Sequence, residues 1–119
     1  MIAHVVLFTP KPHLTAEARQ SLATAFADAI TKIPSVRRAR IGRRVTHGRP
    51  YEQLMATDYT HAVIIEFDDI EALTAYLNDP AHERLGAIFF ASFEHALMYD
   101  FDLDEGEHAL TRLVEDDRR

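Results

Sequence analysis

The sequence predicts a single α+β domain in which helices cover one face of an antiparallel sheet of four strands. Three observations carry this. Four segments are apolar with a period of two, and stretches of helical period fall after the first and the third. Pro10, Pro34 and Pro80 stand where an element has to end. The 119 residues leave room for one core, and 47% hydrophobic with 27% charged residues is ordinary globular usage.

Each element follows in order. Met1 to Thr9, MIAHVVLFT, alternates and stops at Pro10 and Pro12, so it reads as a strand. Ala3, Val5 and Leu7 share one face, and Ile2, His4, Val6 and Phe8 share the other. Both faces are apolar, so both should be covered, and His4 is the one polar side chain in the row. Thr15 is the expected N-cap of a helix with Glu17 in its first turn. Ala18, Leu22, Ala25, Phe26, Ala29, Ile30 and Ile33 follow at helical spacing until Pro34.

Val36 to Val45, VRRARIGRRV, is a second strand, and its arginines suit a sheet edge. Thr46 to Asp58 is a loop that Tyr51 and Leu54 would anchor. Tyr59 to Phe67 is the third strand, with His61, Val63, Ile65 and Phe67 toward the helices and Ala62, Ile64 and Glu66 away from them. Asp68 and Asp69 open a helix carrying Ala72, Leu73, Tyr76 and Leu77, and Pro80 ends it. His82 to Phe93 is helical and apolar nearly all round. Ala96 to Leu103, ALMYDFDL, is the fourth strand. Asp104 to Arg119 is an acidic extension in which Leu110, Leu113 and Val114 predict a short helix, fraying after Glu115.

The order is that of a ferredoxin-like βαββαβ sandwich. Such a sheet keeps one face uncovered, and we place His4, Val6, Phe8, Ala62, Ile64 and Met98 there, with Glu66, Asp100 and the arginines. Glu66 and Asp100 are expected to pair with Arg38 or Arg40. An apolar face of this extent predicts a homodimer in which two sheets close into a barrel. The net charge of −6 is segregated: Arg37 to Arg49 holds six arginines and no acid, whereas Glu94 to Asp117 holds nine acids and one base. The second and fourth strands are both edges in this topology, so these charges are expected to face each other across subunits or nearly so.

Composition also excludes. The acidic balance argues against nucleic acid as a partner. No apolar run approaches 18 residues, so no membrane span is expected, and the N-terminus has no basic region of a signal peptide. A cytoplasmic protein is the expectation. There is no cysteine, which removes thiolate nucleophiles and zinc–sulfur sites. With only four glycines, phosphate-binding loops and dinucleotide fingerprints are absent. His4, His61 and His82 lack close ligand spacing such as HxxxH, so neither a metal nor a cofactor is expected.

The opening IAHVVLF, the segment DYTHAVIIEFDDIEALTAYL, the DPAH turn at 79–82 and the closing MYDFDL resemble the stress-responsive A/B barrel domain (Dabb) family. The resemblance covers residues 2 to about 103, so that 1–103 forms the domain and 104–119 lies beyond it. It implies a dimeric α+β barrel.

His4, Tyr76 and His82 are the candidate catalytic residues. A histidine titrating near neutrality beside a tyrosine hydroxyl pairs a general base with a hydrogen-bond donor for a developing oxyanion. That pairing serves proton abstraction next to a carbonyl, followed by aldol-type cyclisation or elimination. The family resemblance implies the same three positions, matched to Dabb-like plant polyketide cyclases. It also places Phe26 where those cyclases carry a pocket tyrosine, keeping the apolar wall and dropping a hydroxyl. Phe26, Val6, Phe8, Leu85 and Phe89 are the expected walls of a pocket for a small hydrophobic, carbonyl-bearing molecule. The expected function is thus to bind that molecule in a homodimeric barrel, with cofactor-free lyase or cyclase chemistry open to these groups. The alternative is a non-catalytic stress-response or assembly protein whose histidines, bonded to each other or to backbone, only stabilise the barrel. A monooxygenase on the related barrel is a third reading, without visible motifs.

Overall fold

The computed structural model describes residues 1–115; residues 116–119, the end of the acidic extension, lie outside the described residues. Strand β1 (Ile2–Pro10) leads to helix α1 (Ala16–Lys32) and edge strand β2 (Arg38–Arg43). After a loop with a 3-10 turn at Pro50–Leu54 come β3 (His61–Phe67), α2 (Ile70–Leu77), α3 (Pro80–Ser92) and β4 (Phe93–Asp102). A second 3-10 turn (Glu107–Leu110) and a single helical turn, α4 (Thr111–Val114), form the acidic extension. The sheet order is β2-β3-β1-β4, antiparallel throughout, so the ferredoxin-like sandwich is present with β2 and β4 as its edges.

Local chemistry explains the element starts. The Thr15 hydroxyl accepts from the Ala18 N–H at 3.0 Å, and Asp69 and Asp79 accept from the Ala72 and Ala81 N–H groups at 2.8 Å each. Pro80 then occupies the first turn of α3, where a missing N–H costs nothing. Strand β4 begins at Phe93, directly at the end of α3, three residues before the predicted start.

The faces of the sheet differ from the expectation. Antiparallel partners share a face, and the register pairs His4 with Ile65 and Asp100, Val6 with Val63 and Met98, and Phe8 with His61 and Ala96. All of these point to the helices: Phe8 packs against Phe26 and Phe89, with ring centroids 6.0 and 5.2 Å apart. His4, Val6, Phe8, Met98 and Asp100 therefore belong to the covered face. Because β1 is apolar on both sides, alternation alone did not say which side meets the helices; only the pairing with β3 does. Ala62, Ile64 and Glu66 lie on the open face as expected, joined by Val5, Leu7, Leu97, Tyr99 and Phe101.

The open face also carries Arg38 and Arg40 of β2, whereas Arg43, opposite His61, lies on the helix side. Arg38 donates to Glu66 at 3.1 Å, and Arg40 donates to the same carboxylate oxygen. The Arg38 hydrogen bond holds the Glu66 carboxyl below its usual range. Glu66 is thus paired as expected. Asp100 is not, because it points to the helices while Arg38 and Arg40 point away from them. Arg37 and Arg44 likewise pair within the chain, with Asp68 and Asp58.

Candidate active site between the sheet and the second and third helices

Val6, Phe26, Val63, Ile65, Leu85 and Phe89 form the apolar walls of a cavity of about 70 Å³ beneath α2 and α3, and His4, Tyr76 and His82 enter it. β1 supplies His4, the last turn of α2 supplies Tyr76, and the first turn of α3 supplies His82. The two-residue link Asn78–Asp79 folds these helices so that the Tyr76 and His82 rings meet with centroids 4.7 Å apart. Leu85 and Phe89 follow His82 at i+3 and i+7, on the same side of α3. Phe90 and Met98, 63% and 44% exposed, stand at the rim.

His4 is buried, and its Nδ1 lies 2.6 Å from Oδ1 of Asp100 on the neighbouring strand. That contact takes the place of the histidine–histidine bond allowed for in the sequence. The carboxylate fixes Nδ1 as the donor and leaves Nε2 as the free nitrogen. Tyr76 is 1% exposed, packed at tilted angles among the rings of Phe67, His82 and His4. Burial pushes its hydroxyl up to about 12, so it stays protonated at any ordinary pH. The His82 imidazole is held below its ordinary value, first by burial and then by repulsion from His4 whenever that ring is protonated, so it is neutral near pH 7. A neutral base and a protonated donor thus share one apolar space.

The structure gathers His4, Tyr76, His82, Val6, Phe26, Leu85 and Phe89 at one cavity. Phe8 is the exception: it backs the wall, stacked on Phe26 and His61 and edge-on to Phe89, and does not reach the cavity. Asp100, Gly86, Phe90 and Met98 are contributors that the sequence did not point to. The alternation of β4 put Asp100 on the same face as His4, but that they sit directly opposite each other is a matter of register. His61 lies on the helix side as expected and accepts or donates at Thr60 Oγ1, 2.8 Å away.

Comparison with known proteins gives the chain a family. The chain is 23% identical over 100 residues to olivetolic acid cyclase of Cannabis sativa, covering 84% of this chain and 94% of that one. It is 25% identical over 100 residues to the stress-response A/B barrel domain-containing protein HS1 of Arabidopsis thaliana, covering 84% and 87%. Among solved structures, the hydroxynitrile lyase of Passiflora edulis superposes with a TM-score of 0.74 at 16% identity, over 88% of this chain and 94% of the other. A dimeric ferredoxin-like protein of Thermobifida fusca gives 0.66 at 24% identity, over 86% and 90%. These likenesses to structures speak for the fold alone. The model of the stress responsive A/B barrel domain matches residues 2–103, nearly the whole described chain, and the protein belongs to that family.

Proposed function

We propose that this protein is a homodimeric barrel whose cavity binds the reacting end of a small apolar carbonyl compound and moves a proton beside the carbonyl without a cofactor. The observation that carries the proposal is the pairing of a neutral His82 with a protonated Tyr76 in one buried apolar cavity. His82 takes the proton α to the carbonyl, and the Tyr76 hydroxyl donates a hydrogen bond to the oxygen that gains charge. The enolate carbon then attacks a second carbonyl of the same molecule, forming the new carbon–carbon bond. The oxygen of that second carbonyl receives the proton that His82 carried, so the base is restored. Run as an elimination, His82 takes the proton of a hydroxyl, and the carbon bearing it becomes a carbonyl as its bond to the neighbouring carbon breaks. The leaving carbanion receives the proton back from His82, which is the chemistry of a lyase. His4, oriented by Asp100, is the second proton carrier.

Size limits what enters. About 70 Å³ is well below the roughly 300–1,000 Å³ of pockets that enclose drug-sized ligands. The cavity therefore suits the reacting group, with the rest of the substrate leaving past Phe90 and Met98. The likeness to a cyclase supports the reaction class. The apolar open face, where Tyr99 and Phe101 are 56% and 51% exposed, supports the dimer, as do dimeric structural neighbours.

Turnover of poly-β-keto thioesters and of aromatic hydroxynitriles, followed by chromatography, tests the chemistry. Conversion above the buffer rate that His82→Gln abolishes is the expected result; no conversion of either class by the wild type would overturn it. Sedimentation should give twice the 13.6 kDa chain mass. The second reading, an assembly protein, is favoured by the His4–Asp100 bond, which satisfies His4 without any ligand.

A further inference from the structure

A second and larger concavity lies on the helix side, between α1 and the β2–β3 end of the sheet, with a volume of about 780 Å³. It arises because α1 packs along α3, leaving the helix-facing side of β2 uncovered, where Ile41 is 56% exposed. Leu22, Phe26, Ile30 and Ile41 give it an apolar floor. Phe26 lines this cleft and the smaller cavity alike, so it stands between them.

The charges around the cleft are unusual for this chain. Lys32, Arg37, Arg38, Arg40, Arg44 and Arg112 each lie within 4 Å of a carboxylate. Lys11, Arg19 and Arg43 line the cleft, and among the described residues none of the three has such a partner. Arg49 and Arg84 are unpaired in the same sense but lie elsewhere. Among the described residues Glu94 is the only carboxylate lining the cleft, and it sits 3.8 Å from His95. A protein of net charge −6 thus keeps a net positive rim around this apolar cleft. Arg43 also acts on His61, whose ring stacks on Phe8 inside the cleft; burial and the Arg43 charge both hold His61 below its ordinary pKa.

We infer that this cleft is a binding site for an amphiphilic carboxylate, with the apolar body on Leu22, Phe26, Ile30 and Ile41 and the carboxylate against Arg19, Arg43 and Lys11. The volume lies within the range of small-molecule sites. An anionic head answers the unpaired cations, and guanidinium groups hold carboxylates by paired, charge-assisted hydrogen bonds. The cleft opens on the side opposite the open sheet face, so packing of two copies through that face leaves it accessible. It does not depend on the chemistry proposed for His82 and Tyr76.

Titration of the full chain with sodium octanoate, followed by NMR, tests this, with octanamide as the uncharged probe of equal length. Octanoate should bind saturably, shift the signals of Arg43, Ile41 and His61, and bind at least fivefold more tightly than octanamide. Arg19→Gln with Arg43→Gln should erase that preference while octanamide binding and the melting temperature stay unchanged. Ile41→Asp, at an exposed position, should weaken both ligands. Equal affinity for the two probes, shifts centred on Tyr76 and His82, or no saturable binding would each overturn the inference.

Discussion

His4 Nδ1 and Asp100 Oδ1 meet at 2.6 Å, from neighbouring strands and 96 residues apart in the chain. The histidine side chain is 11% exposed and the carboxylate 47%, so the charge stays at the sheet edge while the ring turns inward. Asp100→Asn keeps the shape but lets the amide present either an oxygen or a nitrogen, so the tautomer of His4 is no longer fixed. The expected outcome is a fall in kcat of about 10- to 100-fold, the range seen when an outer partner of a functional histidine is lost, with little change in KM. Stability should fall by about 1 kcal/mol, one net hydrogen bond. A kcat unchanged beside a lowered melting temperature would mark the pair as structural only.

Tyr76 separates packing from chemistry more sharply. Its ring is 1% exposed, whereas burial alone raises its hydroxyl pKa, with no hydrogen bond contributing. Tyr76→Phe should therefore leave stability within about 0.5 kcal/mol, since no net hydrogen bond is lost. The proposed activity should fall by about 100-fold or more, the usual cost of removing an oxyanion donor. Tyr76→Ala should instead cost about 3–5 kcal/mol, as for other large aromatic deletions in a core. Urea unfolding of the two variants against the wild type checks the contrast.

The pH dependence of stability follows from His82 and His61, both of which are held below the ordinary value of 6.5 in the folded chain. Below 6.5 the unfolded chain takes up protons that the folded chain still refuses, so the unfolded state binds more of them. Stability is then fully present above about pH 6.5 and falls as the pH drops toward the lowered folded values. Below those values both states are charged and the slope from these two groups vanishes. Urea unfolding from pH 8 to pH 5 should show the loss, and His82→Gln should flatten part of it. The proposed activity should decline on the same acidic side, since a protonated His82 is no base.

Much of this architecture was legible because the periodicities are long and the breakers well placed. Seventeen residues of α1 follow from one apolar stripe, the Thr15 cap and Pro34, and the β2 and β4 edges follow from the element order. The three polar site residues were legible through their types in an apolar setting and through the family resemblance. What was not legible is non-local. A strand apolar on both faces has no inside until it is paired, so His4, Val6 and Phe8 were assigned to the wrong side. Asp100 was read as a partner for arginine because nothing in MYDFDL says which residue of β1 lies opposite it. The cavity walls from Gly86, Phe90 and Met98 depend on how α3 lies over β4, which spacing within either element cannot reveal.

Gly86 offers a test of whether the cavity itself matters. It sits inside α3, has no need of a left-handed backbone, and a Cβ added there meets nothing within 4 Å. Gly86→Ala should therefore stabilise the chain by about 0.5–1 kcal/mol, the helix-propensity difference between the two residues. Because Gly86 also lines the cavity, a large side chain at the same position fills the space that the substrate needs. Gly86→Leu should keep or raise the melting temperature and yet abolish the proposed turnover. A variant that melts like Gly86→Ala and still turns over at the wild-type rate would mean that the reacting group binds elsewhere.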